Sequence, residues 1–211
     1  MYRNGVLLGT TSPSVLSYQD LTVSADNTYD YHVVARDAAD NLSAPSDTVT
    51  VTTPPPPMSM TFTPTDDATI REVRPDRNYN RDTFEADNRP VKHGLLRFQV
   101  TGVGSQPIAK VTLRLFVTDS SSYGGTFTAM TDPNWNETTV TWNNAPLGDG
   151  GTVAIVNDVS RDTWIEIDLT GAIAGDGPVS WRISSILNNG VDYASKEHAS
   201  GNTPELVIEL G

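Results

Sequence analysis

Val111-Thr112-Leu113-Arg114-Leu115-Phe116-Val117-Thr118 decides the fold class. Val111, Leu113, Leu115 and Val117 alternate with Thr112, Arg114, Phe116 and Thr118, a period of two that sends successive side chains to opposite faces of a strand. The alternation spreads outward from there. Upstream, Leu96, Phe98 and Val100 interleave with Leu95, Arg97 and Gln99; downstream, Ile165, Ile167 and Leu169 interleave with Trp164, Glu166 and Asp168. Val179, Trp181 and Ile183, then Leu206, Ile208 and Leu210, complete the series. Glycine, proline and asparagine clusters separate the runs. Many short strands with turn signals between them predict an all-β protein, an antiparallel β-sandwich of jelly-roll type. One helical turn is expected at 169–174, capped by Asp168 or Thr170.

The strand pattern breaks at Pro54-Pro55-Pro56-Pro57. Four prolines favour an extended, semi-rigid spacer, so residues 54–60 are assigned as a linker between segments 1–53 and 61–211. In the first segment, Tyr29, Tyr31, Val33 and Ala35 share one face of a strand, and Thr48–Thr52 forms another. Leu21 precedes Tyr29 by eight positions, the spacing of a tyrosine corner. These features resemble the back half of a fibronectin type III domain. Such a domain needs about 100 residues, so a partly open core is expected here, within a larger multidomain chain.

Composition narrows the function classes. The 211-residue chain carries a formal charge of −12, which opposes non-specific nucleic-acid binding, because that needs cations to replace phosphate counterions. No apolar run approaches the length of a membrane span, and Met1-Tyr2-Arg3-Asn4-Gly5 lacks the pattern of a secretory signal. Without cysteine there are no disulfides or thiolate metal sites. Charge is unevenly placed. Seven of the fourteen basic residues (Arg71, Arg74, Arg77, Arg81, Arg89, Lys92 and Arg97) fall between positions 71 and 97, against five acids. An acidic body therefore carries one arginine-rich segment.

A second string is distinctive in a different way. Glu137-Thr138-Thr139-Val140-Thr141-Trp142-Asn143-Asn144-Ala145-Pro146 reads as a strand, with Val140 and Trp142 on one side and Thr139, Thr141 and Asn143 on the other. Together with Trp135-Asn136 before it and Ser195-Lys196-Glu197 after it, this string resembles the DNRLRE-type module of carbohydrate-binding module family 96. Asp67-Ala68-Thr69-Ile70-Arg71, Arg77-Asn78-Tyr79-Asn80, Lys92–Phe98, Ala109–Leu115 and Pro204–Ile208 follow the family's order. Asn80 stands where the family has glycine, and Gln99 where it has an acid. The resemblance implies a β-sandwich from a bacterial extracellular protein that holds a polysaccharide without cleaving it.

Guanidinium forks match carboxylates bidentately, so the arginine-rich segment points to an acidic polysaccharide, and the resemblance implies alginate first. Arg71, Arg74, Arg77, Arg81, Lys92, Arg97 and Lys196 are the candidate cations, with Tyr79 and Tyr123 as exposed rings for stacking; the opposing reading pairs the arginines with neighbouring acids. Trp142 and Trp181 are assigned to the core. The first and last strands of a jelly roll often pair, so Asp66, Asp67 and Glu197 are expected to meet, as hard oxygen ligands for a structural Ca²⁺. Catalysis has thin support: Tyr79, His93, Tyr193 and His198 could serve a lyase, and no hydrolase motif is present. The alternatives are a structural or adhesion spacer, and a polysaccharide lyase or hydrolase.

Overall fold

In a computed structural model describing residues 1–211, every regular element is a strand. In chain order these are β1 (Tyr2–Arg3), β2 (Val6–Leu7), β3 (Thr28–His32), β4 (Val49–Thr52), β5 (Ser59–Phe62), β6 (Pro64–Arg71), β7 (Thr83–Asn88) and β8 (Val91–Val100). There follow β9 (Ile108–Asp119), β10 (Gly125–Ala129), β11 (Thr152–Val156), β12 (Thr163–Asp168), β13 (Gly177–Ser184), β14 (Val191–Ala194) and β15 (Glu205–Leu210). The chain forms two compact units, Met1–Pro57 and Met58–Gly211.

The second unit is an antiparallel β-sandwich. One sheet places β9 between β12 on one edge and β15 with β14 on the other, and β5 pairs with β15. The second sheet runs β6, β8, β13, β10, β11. β7 joins the two by pairing with both β8 and β14. The alternating residues meet between the sheets: Val111, Leu113, Leu115 and Val117 of β9 share one buried cluster with Leu96, Phe98, Phe127, Trp181 and Ile183. The period of two is thus resolved into an inner apolar face, as burial of one side of each strand requires.

The first unit is built differently. Its sheet has the order β2-β1-β3-β4, and all the buried side chains of the chain lie in the other unit. Polar ties take the place of a core. Asp20 accepts from Arg3 at 2.8 Å and from the Tyr31 hydroxyl at 2.9 Å, and Tyr2 stacks on His32 at 5.0 Å. The Tyr29 hydroxyl accepts the Ser24 N–H at 2.9 Å, a loop-to-strand tie of the kind expected there, while Leu21 is exposed.

Two local expectations need correction. The string 137–146 is not a strand. Val140 N–H donates to Asn136 O and Ala145 N–H to Thr141 O, so it forms two successive turns. Asn136 Oδ1 accepts from Thr138 N–H, and Asn144 Oδ1 from Thr141 N–H at 2.7 Å. These side chains satisfy the local backbone and displace ladder pairing. The helical turn expected at 169–174 is instead a tight non-helical turn, Ala172 N–H to Leu169 O, with Gly171 at a φ of 87° and Asp168 Oδ1 accepting the Thr170 N–H.

Candidate functional site

The turns at 137–146 belong to a loop that crosses the outer face of the second sheet. Ala68 of β6 lies opposite Leu95 of β8, and Ile70 opposite His93, so that face carries an apolar strip of its own. Met130, Trp135 and Val140 close over Ala68, Ile70 and Leu95, and Trp142 and Ala145 pack against them. The Trp135 indole N–H donates to Ser180 Oγ at 2.9 Å, which satisfies its buried polar end. The tryptophan string is therefore a cover.

Charged residues pin that cover down. Arg97 pairs with Asp66, donates to the Pro133 carbonyl at 3.0 Å and lies 5.5 Å from the Trp135 ring centre. Lys196 Nζ donates to Glu137 at 2.8 Å and also holds Glu197. Asp67 accepts the Lys196 backbone N–H at 2.8 Å, and its own N–H reaches Glu137 at 3.3 Å. Asp67 Oδ1 is buried without a partner. Burial first, then the charges of Glu197 and Glu137, push its carboxyl up to about 7 despite the Lys196 N–H.

The calcium trio does not assemble around this point. Asp66 faces Arg97, Glu197 faces the Lys196 ammonium, and no three His, Asp or Glu side chains converge to hold a metal ion. Lys196 is the cation that Glu137 and Glu197 meet in this structure.

Beside the cover, residues 72–82 form the loop that carries the arginines from β6 to β7. Two asparagines stitch it to the cover. Asn78 Nδ2 donates to the Glu137 and Val140 carbonyls at 2.6 and 2.8 Å, and Asn143 Nδ2 donates to Asp76 at 2.7 Å. Tyr79 bridges back to Thr69 of β6 and is buried, at 3% exposure. It is not the exposed stacking ring expected. Three guanidinium groups gather on the ring: Arg71 at 4.3 Å, Arg77 at 5.2 Å and Arg81 at 5.6 Å.

The predicted cations fall into two groups. Arg71 pairs with Glu85 at 2.7 Å, and Lys92 with Glu85 at 2.7 Å and Asp87 at 3.5 Å. With Arg97 and Lys196, these four are already held by acids. Arg74, Arg77 and Arg81 are exposed and make no ion pair. Tyr123 sits away from the loop, its hydroxyl bonded to Thr126. An open cleft of about 460 Å³ runs along the cover, lined by Arg97, Asn134, Trp135, Asn136, Thr139 and Asn144. The bracing roles of Asn78, Asn143 and Glu137 were missed in the sequence, although the density of asparagine in both loops was the available signal.

Among known families, residues 58–210 match carbohydrate-binding module family 96. Among curated proteins, a gellan lyase from a Bacillus species is 30% identical over 162 residues. That stretch is 70% of this chain and 6% of the lyase, so the chain spans a small fraction of its relative.

Proposed function

The chain belongs to carbohydrate-binding module family 96, and on that premise we propose that it binds an acidic polysaccharide, alginate first, in an extracellular setting and without cleaving it. The observation that carries this reading is the trio Arg74, Arg77 and Arg81: exposed guanidinium groups without acidic partners on an otherwise acidic chain. Charges left in solvent await a partner, and planar guanidinium matches a carboxylate with two parallel hydrogen bonds. Successive uronate carboxylates would meet Arg77 and Arg81, which the Tyr79 ring holds near one another. The asparagine stitches keep the loop fixed, which limits the ordering cost of binding.

Binding through exposed charges weakens as salt screens them. Affinity electrophoresis tests the proposal. Wild-type protein is retarded in an alginate gel, and Arg77→Ala with Arg81→Ala together removes the retardation; undiminished retention by the double variant rejects the site. Gellan belongs in the same series, because the similar segment lies in a gellan lyase. Release of unsaturated or reducing ends during incubation would instead favour a lyase or hydrolase.

A further inference from the structure

The tryptophan cover leaves part of the second sheet's outer face open. There β8, β13 and β10 present His93, Arg182, Ser184 and Thr128 around a cleft of about 420 Å³, with Leu147 and Asp149 at its rim. Register places these side chains on one face, since Arg182 lies opposite both Leu95 and Thr128. Arg182 Nε donates to His93 Nδ1 at 2.7 Å, and the guanidinium lies 5.2 Å from the Trp142 ring centre. Because Nδ1 accepts, the His93 proton sits on Nε2. Burial, then the charge of Arg182, lowers His93 to about 4, so the ring is neutral near pH 7.

The hydrogen-bond inventory of this cleft is incomplete. Arg182 makes two contacts, to His93 and, through Nη1, to the Pro146 carbonyl at 3.4 Å. Burial alone lowers its pKa, with no acid offsetting the loss of solvent. Asp149 does not supply one: its Oδ1 accepts from Thr131 N–H and Oγ1 at 3.1 and 2.8 Å. Arg182 Nη2, His93 Nε2–H and the Thr128 and Ser184 hydroxyls are left without protein partners. A half-buried guanidinium lacking a counter-ion favours an arriving anion.

We propose that this cleft is a second subsite, which takes the carboxylate of one sugar unit on Arg182 with His93 Nε2–H beside it. The Thr128 and Ser184 hydroxyls meet ring hydroxyls, and Leu147 covers the apolar edge of the sugar. The inference rests on the polyuronate reading and deepens it, because a chain bound at the arginine loop gains a second anchor across the cover.

The test titrates the full chain with hexameric mannuronate and follows the indole N–H signals of its four tryptophans. Saturating ligand shifts the Trp142 signal. Arg182→Gln removes that shift and weakens binding about tenfold, the loss of one charge-assisted contact, and Thr128→Glu does the same by setting a carboxylate opposite Arg182. Thr128→Glu, on an open strand face, keeps the result readable if Arg182→Gln fails to fold. A Trp142 signal unmoved at saturation, or wild-type affinity in both variants, overturns the subsite. If only the Arg77/Arg81 variant loses binding, the loop reading stands and this cleft falls. If only the cleft variants lose it, the cleft stands and the loop reading falls.

Discussion

Arg97 commits its guanidinium to Asp66 and the Pro133 carbonyl, whereas Arg77, twenty positions earlier, touches only the face of Tyr79. Both belong to the same arginine-rich segment and are indistinguishable by residue type. Their surroundings separate them. Arg97 lies on a strand beneath a loop that excludes water, so removing it strands a buried acid; Arg77 lies in solvent, where a missing charge costs the fold little. The segment therefore contains cations held by acids beside cations left in solvent, and a buried partner acid marks the first kind.

The largest effect should come from removing a held cation. Arg97→Ala leaves Asp66 buried and unpaired and exposes the Trp135 ring, and we expect a loss of about 3 kcal/mol, read from urea midpoints. A loss under about 0.5 kcal/mol, the range of ordinary surface changes, would erase the distinction. Arg77→Ala with Arg81→Ala should give the mirror image: stability within about 0.5 kcal/mol of wild type, with alginate retention gone. Coupled loss of both properties would mean that the two groups act as one structure.

The pH profile sharpens the comparison further. Asp67, at about 7 when folded against 3.8 as a reference, holds a proton that the unfolded chain releases between those values. Its contribution to stability therefore falls as pH rises from about 4 to about 7. Asp192, pushed up to about 6 mainly by burial, acts in the same sense. His93, lowered to about 4 from 6.5, stays neutral where the unfolded chain is protonated, so its contribution is lost as pH falls through that range. The effects oppose each other. Asp67→Asn should flatten the profile, because Asp192 and His93 then nearly offset each other, and His93→Gln should leave one that weakens towards neutral pH; urea midpoints between pH 4 and 7.5 check both. The smallest expected change concerns metal: neither EDTA nor Ca²⁺ should move the melting temperature, because Lys196 already neutralises Glu137 and Glu197. A rise of several degrees with Ca²⁺ would show that a metal binds.

The sandwich was legible because burial of one strand face imposes a period of two, and Val111–Val117 show it without interruption. The string 137–146 misled for a specific reason. Val140 and Trp142 do both face the sheet, as alternation suggests, but the intervening backbone is bonded to Asn136 and Asn144 rather than to a neighbouring strand. The division of the cations was hidden because their partners lie far away in sequence: Asp66 is 31 positions from Arg97, and Glu137 is 59 from Lys196. Cross-strand register sets the first pair and the packing of the cover loop the second, and both are properties of the folded chain. Tyr79 was hidden likewise, since its burial requires the loop to turn back onto Thr69.

The cover gives β8 an unusual position. Leu96 faces the space between the sheets, Leu95 faces the tryptophan loop, and β6 and β13 flank the strand on either edge. Water has no direct route to the middle of this strand from above, below or beside it. Its amide hydrogens should consequently be among the slowest to exchange with deuterated solvent, escaping only when the whole unit opens. β8 is thus a rigid spine, so that if the two proposed loci hold a polymer, a tug on it is resisted by the most stable part of the molecule.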